Sequence, residues 1–231
     1  MNIKILHGIE GAKEAKGIAV IIDVFRAFTV EAYLMNNGAE KIISVGDIDF
    51  AYEYKKKNND YILIGERKGE IQPGFDYGNS PTSIENIDFS GKTLIHTTSN
   101  GTQGIVNASN ATEILTGSLV NARAIAEYIK IKNPEDVSLV VMGRGPFGDL
   151  EEDELCAEYI KSILDGETID LSSKIDSLKE TTGAKFFEKS LQGIFPERDF
   201  YLCTEVDKFK FVLEVEKNDG LKYIRKIEIK Y

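Results

Sequence analysis

Short continuous apolar runs, each closed by a charged or small polar residue and followed by a helical period, recur along much of the chain. Ile18-Ala19-Val20-Ile21-Ile22 has no polar interruption, as a strand buried on both faces requires. It ends on Asp23; Arg26 follows, and a helical pattern over 27–35 closes at Asn37-Gly38, a pair suited to a helix C-terminus. The same unit returns as Ile42-Ile43-Ser44-Val45, before a helix that runs into Lys55-Lys56-Lys57, and as Tyr61-Ile62-Leu63-Ile64 before Gly65. Three more runs lie at 92–96, 113–116 and 137–142, the last leading through a glycine-rich loop with Arg144 to a helix that starts near Glu151.

Strands alternating with helices at spacings of about 20 to 30 residues predict an α/β fold, a three-layer α/β/α arrangement with a mostly parallel central sheet. Past Gly166 the alternation fades. Residues 175–191 read as helix around Thr181-Thr182-Gly183, and near-alternating apolar residues on either side of Asn218-Asp219-Gly220 predict a C-terminal β-hairpin extension. No long Ser/Gly/Pro linker divides the chain. The expectation is a single domain over 1–231, with its motifs in a core at about 17–165 and a helical and hairpin portion at 166–231.

In such sheets ligands bind beyond the carboxyl ends of the strands, and the unusual residues fall there. Asp23 and Arg26 follow the first of these runs, Glu66 and Arg67 the third, and Thr98, Asn100, Gly101 and Thr102 the fourth. Ser118 follows the fifth, and Glu152 and Asp153 the sixth; all are expected along one edge of the sheet. The stretch from Gly65 to Pro81 is the densest, with four glycines, the adjacent Glu66 and Arg67, and Asn79-Ser80. Glycine lets backbone approach a ligand, a carboxylate beside a guanidinium can hold a metal and an oxyanion together, and Asn and Ser add neutral donors. A turn-rich surface loop with an ordinary ion pair would read the same way.

Asp23, Glu66, Glu152 and Asp153 are the candidate ligands of a hard cation, because magnesium takes oxygen donors and keeps several waters. For Glu152 and Asp153 the plain alternative is an acidic first helical turn that complements the dipole. Arg26 and Arg67, with Arg144 behind them, could clamp an oxyanion, or could pair with Asp23 and Glu66. Residues 97–102 resemble a strand-to-helix turn that offers donors to an anion, although Ser99 or Asn100 could simply cap the helix. The lysine of a P-loop is missing. His96 and Cys156 read as packed core residues.

Composition narrows the function. With 38 acidic and 28 basic residues the net charge is −10, which argues against nucleic acid as a partner. No run approaches the roughly 18 to 20 apolar residues of a membrane span, and the N-terminus lacks a signal-peptide core, so a cytoplasmic protein is expected. Cys156 and Cys203 stand in unrelated contexts and form no disulfide framework.

Taken together, Asp23-Val-Phe-Arg26-Ala-Phe-Thr29, Asn37-Gly-Ala39, Gly65-Glu-Arg67, Gly74-Phe-Asp76 with Asn79-Ser-Pro81, Thr97-Thr-Ser-Asn-Gly-Thr102, Gly117-Ser118 with Asn121-Ala122, and Glu152-Asp153 with Cys156-Ala157 resemble the 2-phosphosulfolactate phosphatase family. The resemblance implies a magnesium-dependent hydrolase that converts the small anionic metabolite 2-phospho-3-sulfolactate to sulfolactate and phosphate, a step towards coenzyme M. Asp23, Arg26, Glu66, Arg67 and Asn100 are then the expected catalytic residues. Asn79, Ser80, Thr98, Gly101, Thr102 and Ser118 are expected to bind substrate, and Asp23, Glu66, Glu152 and Asp153 to hold magnesium. The chain departs from the family at Phe25, Phe28, Ser99 and the Arg144 loop. Another small 2-hydroxy-acid phosphate as substrate, a non-catalytic binding domain, and a homodimer all remain compatible with it.

Overall fold

The computed structural model describes residues 1–143 and 150–230; Arg144 and the rest of its loop lie outside them. Nine strands form one sheet: β1 (Asn2–His7), β2 (Ile18–Ile22), β3 (Lys41–Ser44), β4 (Ile62–Gly65), β5 (Thr93–Thr97), β6 (Glu113–Gly117), β7 (Asp136–Val141), β8 (Phe211–Asn218) and β9 (Leu221–Glu228). Their order across the sheet is β1-β7-β2-β6-β8-β9-β3-β5-β4. The helices are α1 (Gly8–Glu14), α2 (Ala27–Asn36), α3 (Ile48–Lys57), α4 (Pro81–Ile84), α5 (Gly101–Asn107), α6 (Ala122–Lys132), α7 (Glu151–Asp165), α8 (Ser172–Leu178) and α9 (Glu197–Cys203).

The expected apolar runs are strands because the sheet buries them on both faces, with side chains alternating between them. Ala19 and Ile21 of β2 share one core with α2 and α5, whereas Ile18, Val20 and Ile22 pack on the other face with α6 and α7. Ile42, Ile64 and Leu94 join the first core, while Ile43, Leu63 and Ile95 face Ala51 of α3. Two helical layers therefore flank the sheet. At about 1.5–3 kcal/mol for each fully buried large aliphatic side chain, these cores are the main force holding the layers together.

The predicted hairpin forms, and the sheet takes it into its middle. β1, β7, β2 and β6 make one parallel block, β3, β5 and β4 another, and β8–β9 joins them by antiparallel pairing with β6 and with β3. Three antiparallel steps in succession reverse the sense of the second block. The carboxyl ends of β4 and β5 thus do not share a sheet edge with those of β2, β6 and β7, contrary to the sequence expectation.

α2 links the blocks. Every residue from Ala27 to Met35 is buried, and the helix shares its core with residues of both blocks. β1 carried no clear signal, since it is an edge strand whose exposure alternates. The helix expected over 175–191 is broken into α8 and the short 3-10 turns Ala184–Phe186 and Lys189–Leu191. The helix ends at Leu178, and a turn over 179–183 carries the chain back so that Phe186 is buried against Phe200; a side chain at Gly183 would meet the Leu178 carbonyl and the Phe200 ring at 2.6 Å, so glycine lets the turn close there. Among the described residues no helix is long and apolar enough to cross a membrane.

Candidate active site

Asp23 stands just beyond β2, where its backbone N–H continues the ladder to the Gly117 carbonyl at 3.2 Å and its Oδ1 accepts the Ala27 N–H at 3.2 Å. The carboxylate thereby caps the entry to α2. Asp153, in the first turn of α7, accepts the Val24 N–H at 2.7 Å. Glu152 beside it is buried, with Oε2 unpartnered among the described residues. Burial is the main force raising all three carboxyls. It pushes Asp23 up to about 6 against the Ala27 hydrogen bond, with Glu66 adding to the rise and His96 and Lys185 opposing it. Asp153 is raised well above the carboxylate range by burial and by the charges of Glu152 and Asp23. Glu152 is raised by burial and, more weakly, by Asp23; the nearby Thr182 hydroxyl lowers it, although Thr182 Oγ1 and Glu152 Oε2 complete no hydrogen bond.

Glu66 meets this cluster from the second block. Gly65 ends β4 at φ 143°, and an added side chain there would lie 1.9 Å from the Thr97 carbonyl, so only glycine lets the two strands close before the turn. Glu66 Oε1 accepts the Ser99 N–H at 2.7 Å, and Oε2 accepts the Gly69 N–H at 2.6 Å and the Ser99 hydroxyl at 3.1 Å. Gly101, at the start of α5, closes the gap to Asp23: a Cβ there would stand 2.9 Å from Asp23 Oδ2 and 2.9 Å from Ala27 Cβ. The ends of β2 and β5 are joined through α5 rather than along a sheet edge.

The remaining expected residues divide by what they touch. Arg26 does not pair with Asp23: Nη1 donates to Asp199 Oδ2 at 2.7 Å and to the Ile194 carbonyl at 2.8 Å, with the Phe195 ring 4.7 Å from the guanidinium carbon. Arg67 does not pair with the Glu66 carboxylate. It donates to the Glu66 carbonyl at 2.7 Å and to Thr97 Oγ1 at 2.8 Å, and so braces the loop. Thr98 and Thr102 satisfy one another, since Thr98 Oγ1 accepts the Thr102 N–H and Thr102 Oγ1 accepts the Thr98 N–H. Asn100 precedes α5 without a side-chain cap bond. Ser118 is wholly buried, its hydroxyl 2.5 Å from that of Thr29, and it closes a capping box with Asn121 beneath Asp23. Asn79 and Ser80 line a cleft of about 600 Å3 together with Arg26, Gly69 and Ile194; Asn79 Oδ1 is buried there with no hydrogen-bond partner among the described residues.

Two residues of the C-terminal third were missed. Lys185 faces the acidic cluster, where its charge lowers the carboxyls of Asp23, Glu152 and Asp153, and it lies 5.6 Å from the Phe25 ring and 5.5 Å from that of Phe186. Asp199 is fully buried against Arg26. Neither carries a local signal, because each reaches the site through a contact of high sequence separation. Cys156 and His96 are core residues as expected, both without exposure.

The donor set of Asp23, Glu152 and Asp153 suits a hard cation: all offer oxygen donors, they repel one another, and among the described residues Glu152 Oε2 has no hydrogen-bond partner. Glu66 fits less well, since both its oxygens already accept hydrogen bonds. Among the described residues no three acidic, histidine or cysteine side chains form a ready coordination shell. Magnesium, which retains waters, needs only one or two carboxylates.

The 2-phosphosulpholactate phosphatase family model matches residues 4–218. A Bacillus subtilis protein named a probable 2-phosphosulfolactate phosphatase is 32% identical over 230 residues, which cover 99% of this chain and 100% of the relative. A Carboxydothermus hydrogenoformans protein of the same name is 40% identical over 231 residues, covering 95% of each chain, and one from Thermoplasma volcanium is 34% identical over 207 residues, covering 89% and 93%. With the match running through both blocks of the sheet and through every loop of the acidic cluster described above, the chain belongs to the 2-phosphosulpholactate phosphatase family.

Proposed function

We propose that this phosphoric monoester hydrolase acts on 2-phospho-3-sulfolactate, releasing 3-sulfolactate and phosphate with magnesium as cofactor, the reaction that leads towards coenzyme M. The observation that carries the reading is the meeting of Asp23, Glu152 and Asp153, three buried carboxyls raised above their ordinary range, beside Lys185 and the start of α5. Burying mutually repelling acids is costly unless a cation or a proton is shared among them.

Magnesium held by Asp23 with Glu152 or Asp153 would supply Lewis acidity to a phosphoryl oxygen and acidify a water. The chain's own groups position the ester. Lys185 places positive charge beside the acidic cluster, Arg26 places it on the wall of the cleft with Asn79 and Ser80, and Asn100 and Gly101 offer neutral donors at the start of α5. Positioning and charge are most of what phosphoryl transfer asks of a protein. The water oxygen bonds to phosphorus as the ester P–O bond breaks, and one proton passes to the departing 2-oxygen. With magnesium on Asp23 and Asp153, Glu152 Oε2, which has no hydrogen-bond partner among the described residues, is the acceptor available to hold that proton in transit. Arg67 acts at one remove, through the loop that aims Glu66. Asn79 and Ser80 present the cleft wall that would meet the organic end of the substrate.

The test is phosphate release from 2-phosphosulfolactate, phospholactate and phosphoglycolate, with magnesium and with EDTA. The reading requires EDTA-sensitive turnover that prefers the sulfonate. Equal turnover of all three would move the assignment to a broader 2-hydroxy-acid phosphatase, and no turnover with a ligand-induced thermal shift would replace catalysis by binding.

A further inference from the structure

We infer that Asp199 is the positioning residue of the site: it holds the Arg26 guanidinium and the Asn79–Thr82 loop in one fixed arrangement, so that the anion clamp and the cleft beside it work as a unit. The inference rests on the reading of Arg26 as a phosphate-binding cation.

Asp199, near the start of α9, has no exposure, and its side-chain partners lie on two segments distant in sequence, the loop after β2 and the Ser80–Thr82 entry to α4. Its Oδ2 accepts Arg26 Nη1 at 2.7 Å, and its Oδ1 accepts both the Ser80 hydroxyl at 2.8 Å and the Thr82 N–H at 2.9 Å. One carboxylate thus ties the loop after β2 to the loop before α4. Arg26 is fixed further by the Ile194 carbonyl at 2.8 Å and by the Phe195 ring, and its Nη2 lies 3.4 Å from the Gly69 carbonyl. Gly69 in turn donates to Glu66 Oε2 at 2.6 Å. The chain of contacts therefore runs from Asp199 through Arg26 to the loop that carries Glu66.

Stability alone gives little reason for this arrangement. A buried ion pair gains little over apolar side chains of the same volume, because desolvation offsets the attraction. What the pair does provide is direction: a guanidinium on a long side chain is left with one orientation, and small misplacements of a positioning group are expensive in phosphoryl transfer. Arg26 also lines the cleft in which Asn79 Oδ1 stands buried and unpartnered among the described residues, so the group that Asp199 orients borders that polar wall.

The experiment is a double-mutant cycle of Arg26→Ala and Asp199→Asn in the full chain with magnesium. It is read by the affinity for inorganic phosphate in calorimetry and by kcat and KM on whichever substrate the panel identifies. Each single variant is expected to weaken phosphate binding about tenfold and to lower kcat/KM about 10- to 100-fold, with KM rising as phosphate affinity falls. In phosphate affinity the double variant should match the worse single one, because Asp199 reaches the phosphate through Arg26, whereas its hold on Ser80 and Thr82 shapes the cleft wall. Millimolar guanidinium should restore phosphate binding to Arg26→Ala but not to the double variant, a rescue that a merely structural aspartate would not control. If Asp199→Asn fails to fold, the comparison of rescue in Arg26→Ala with rescue in Arg26→Ala/Asp199→Ala carries the test, since that pair removes both charges together. Arg26→Ala with wild-type phosphate affinity would sink the clamp reading itself. An Arg26→Ala defect with unaffected Asp199→Asn, additive losses, or rescue without Asp199 would overturn only the role of Asp199.

Discussion

At the scale of single residues, Asp23 is where charge and stability meet. Its carboxyl is raised from 3.8 to about 6, first by burial and then by Glu66, against the hydrogen bond from Ala27 and the charges of His96 and Lys185. A raised folded-state value means that the native protein holds the proton longer than the unfolded chain does. That stabilisation is fully present below 3.8 and is lost as pH rises through about 6, a change on the order of 3 kcal/mol. Asp23→Asn keeps the acceptor for the Ala27 N–H and removes the charge. In EDTA at pH 7.5 it should melt roughly 6–10 °C above the wild type, and the gap should close near pH 4. Magnesium should reverse the order by stabilising the wild type alone. A variant that melts lower at both pH values would remove the acidic cluster as a source of strain. A second residue prediction concerns Gly101, where a methyl group would press on Asp23 Oδ2 and Ala27 at 2.9 Å. Gly101→Ala is expected to cost about tenfold or more in kcat while the protein remains folded, read by turnover beside circular dichroism. Asp23, Glu66 and Gly101 were legible because each follows an apolar run, and such positions carry function when the runs are strands. Asp199 and Lys185 were not, since nothing within several residues of either distinguishes it from a surface charge.

Among the elements, α2 carries the most argument, being buried on all sides between the two blocks. Its one acidic side chain, Glu31, has no exposure and meets His96 Nδ1 of β5 at 2.9 Å, while Glu31 Oε2 and His96 Nε2 both lack partners among the described residues. The pair fastens the helix to the second block at the cost of two unsatisfied polar atoms. Glu31→Leu alone strands the imidazole without its acceptor and should cost about 2–4 kcal/mol. Glu31→Leu with His96→Leu replaces both partners by apolar groups and should fall within about 1 kcal/mol of the wild type. Urea denaturation of the two variants decides it: equal losses would mean that packing, not the hydrogen bond, fixes α2. The βα units themselves were readable since strands buried on both faces leave uninterrupted apolar runs. β1 was not, because an edge strand need only be apolar on alternate residues, and 175–191 was misread as one helix because long-range packing of Phe186 and Phe200 overrides local period.

For the whole molecule the decisive feature is the placement of the β8–β9 hairpin at the centre of the sheet. Its Asp-Gly turn and near-alternating pattern announce a hairpin, but no local signal states that β6 and β3 will pair with its two sides. The site depends on that pairing, for Asp23, Ser118 and Asp153 follow strands of one block and Glu66, Ser99 and Gly101 follow strands of the other. Val212 and Leu213 of β8 are wholly buried, one on each face of the sheet, so the hairpin contributes to two cores as well as to the ladder. Removing 208–231 would open the edges of β6 and β3 in the middle of the protein and uncover both cores. Such a chain should give no cooperative melting transition and no phosphatase activity. Lengthening the exposed turn at Asp219-Gly220 by a few Gly/Ser residues leaves every strand pair intact and should cost under about 1 kcal/mol, with activity retained. Comparing the two by calorimetry and turnover separates a hairpin that joins the blocks from one that merely ends the chain: a truncated protein that melts cooperatively and still releases phosphate would show that the two blocks hold the site together without it.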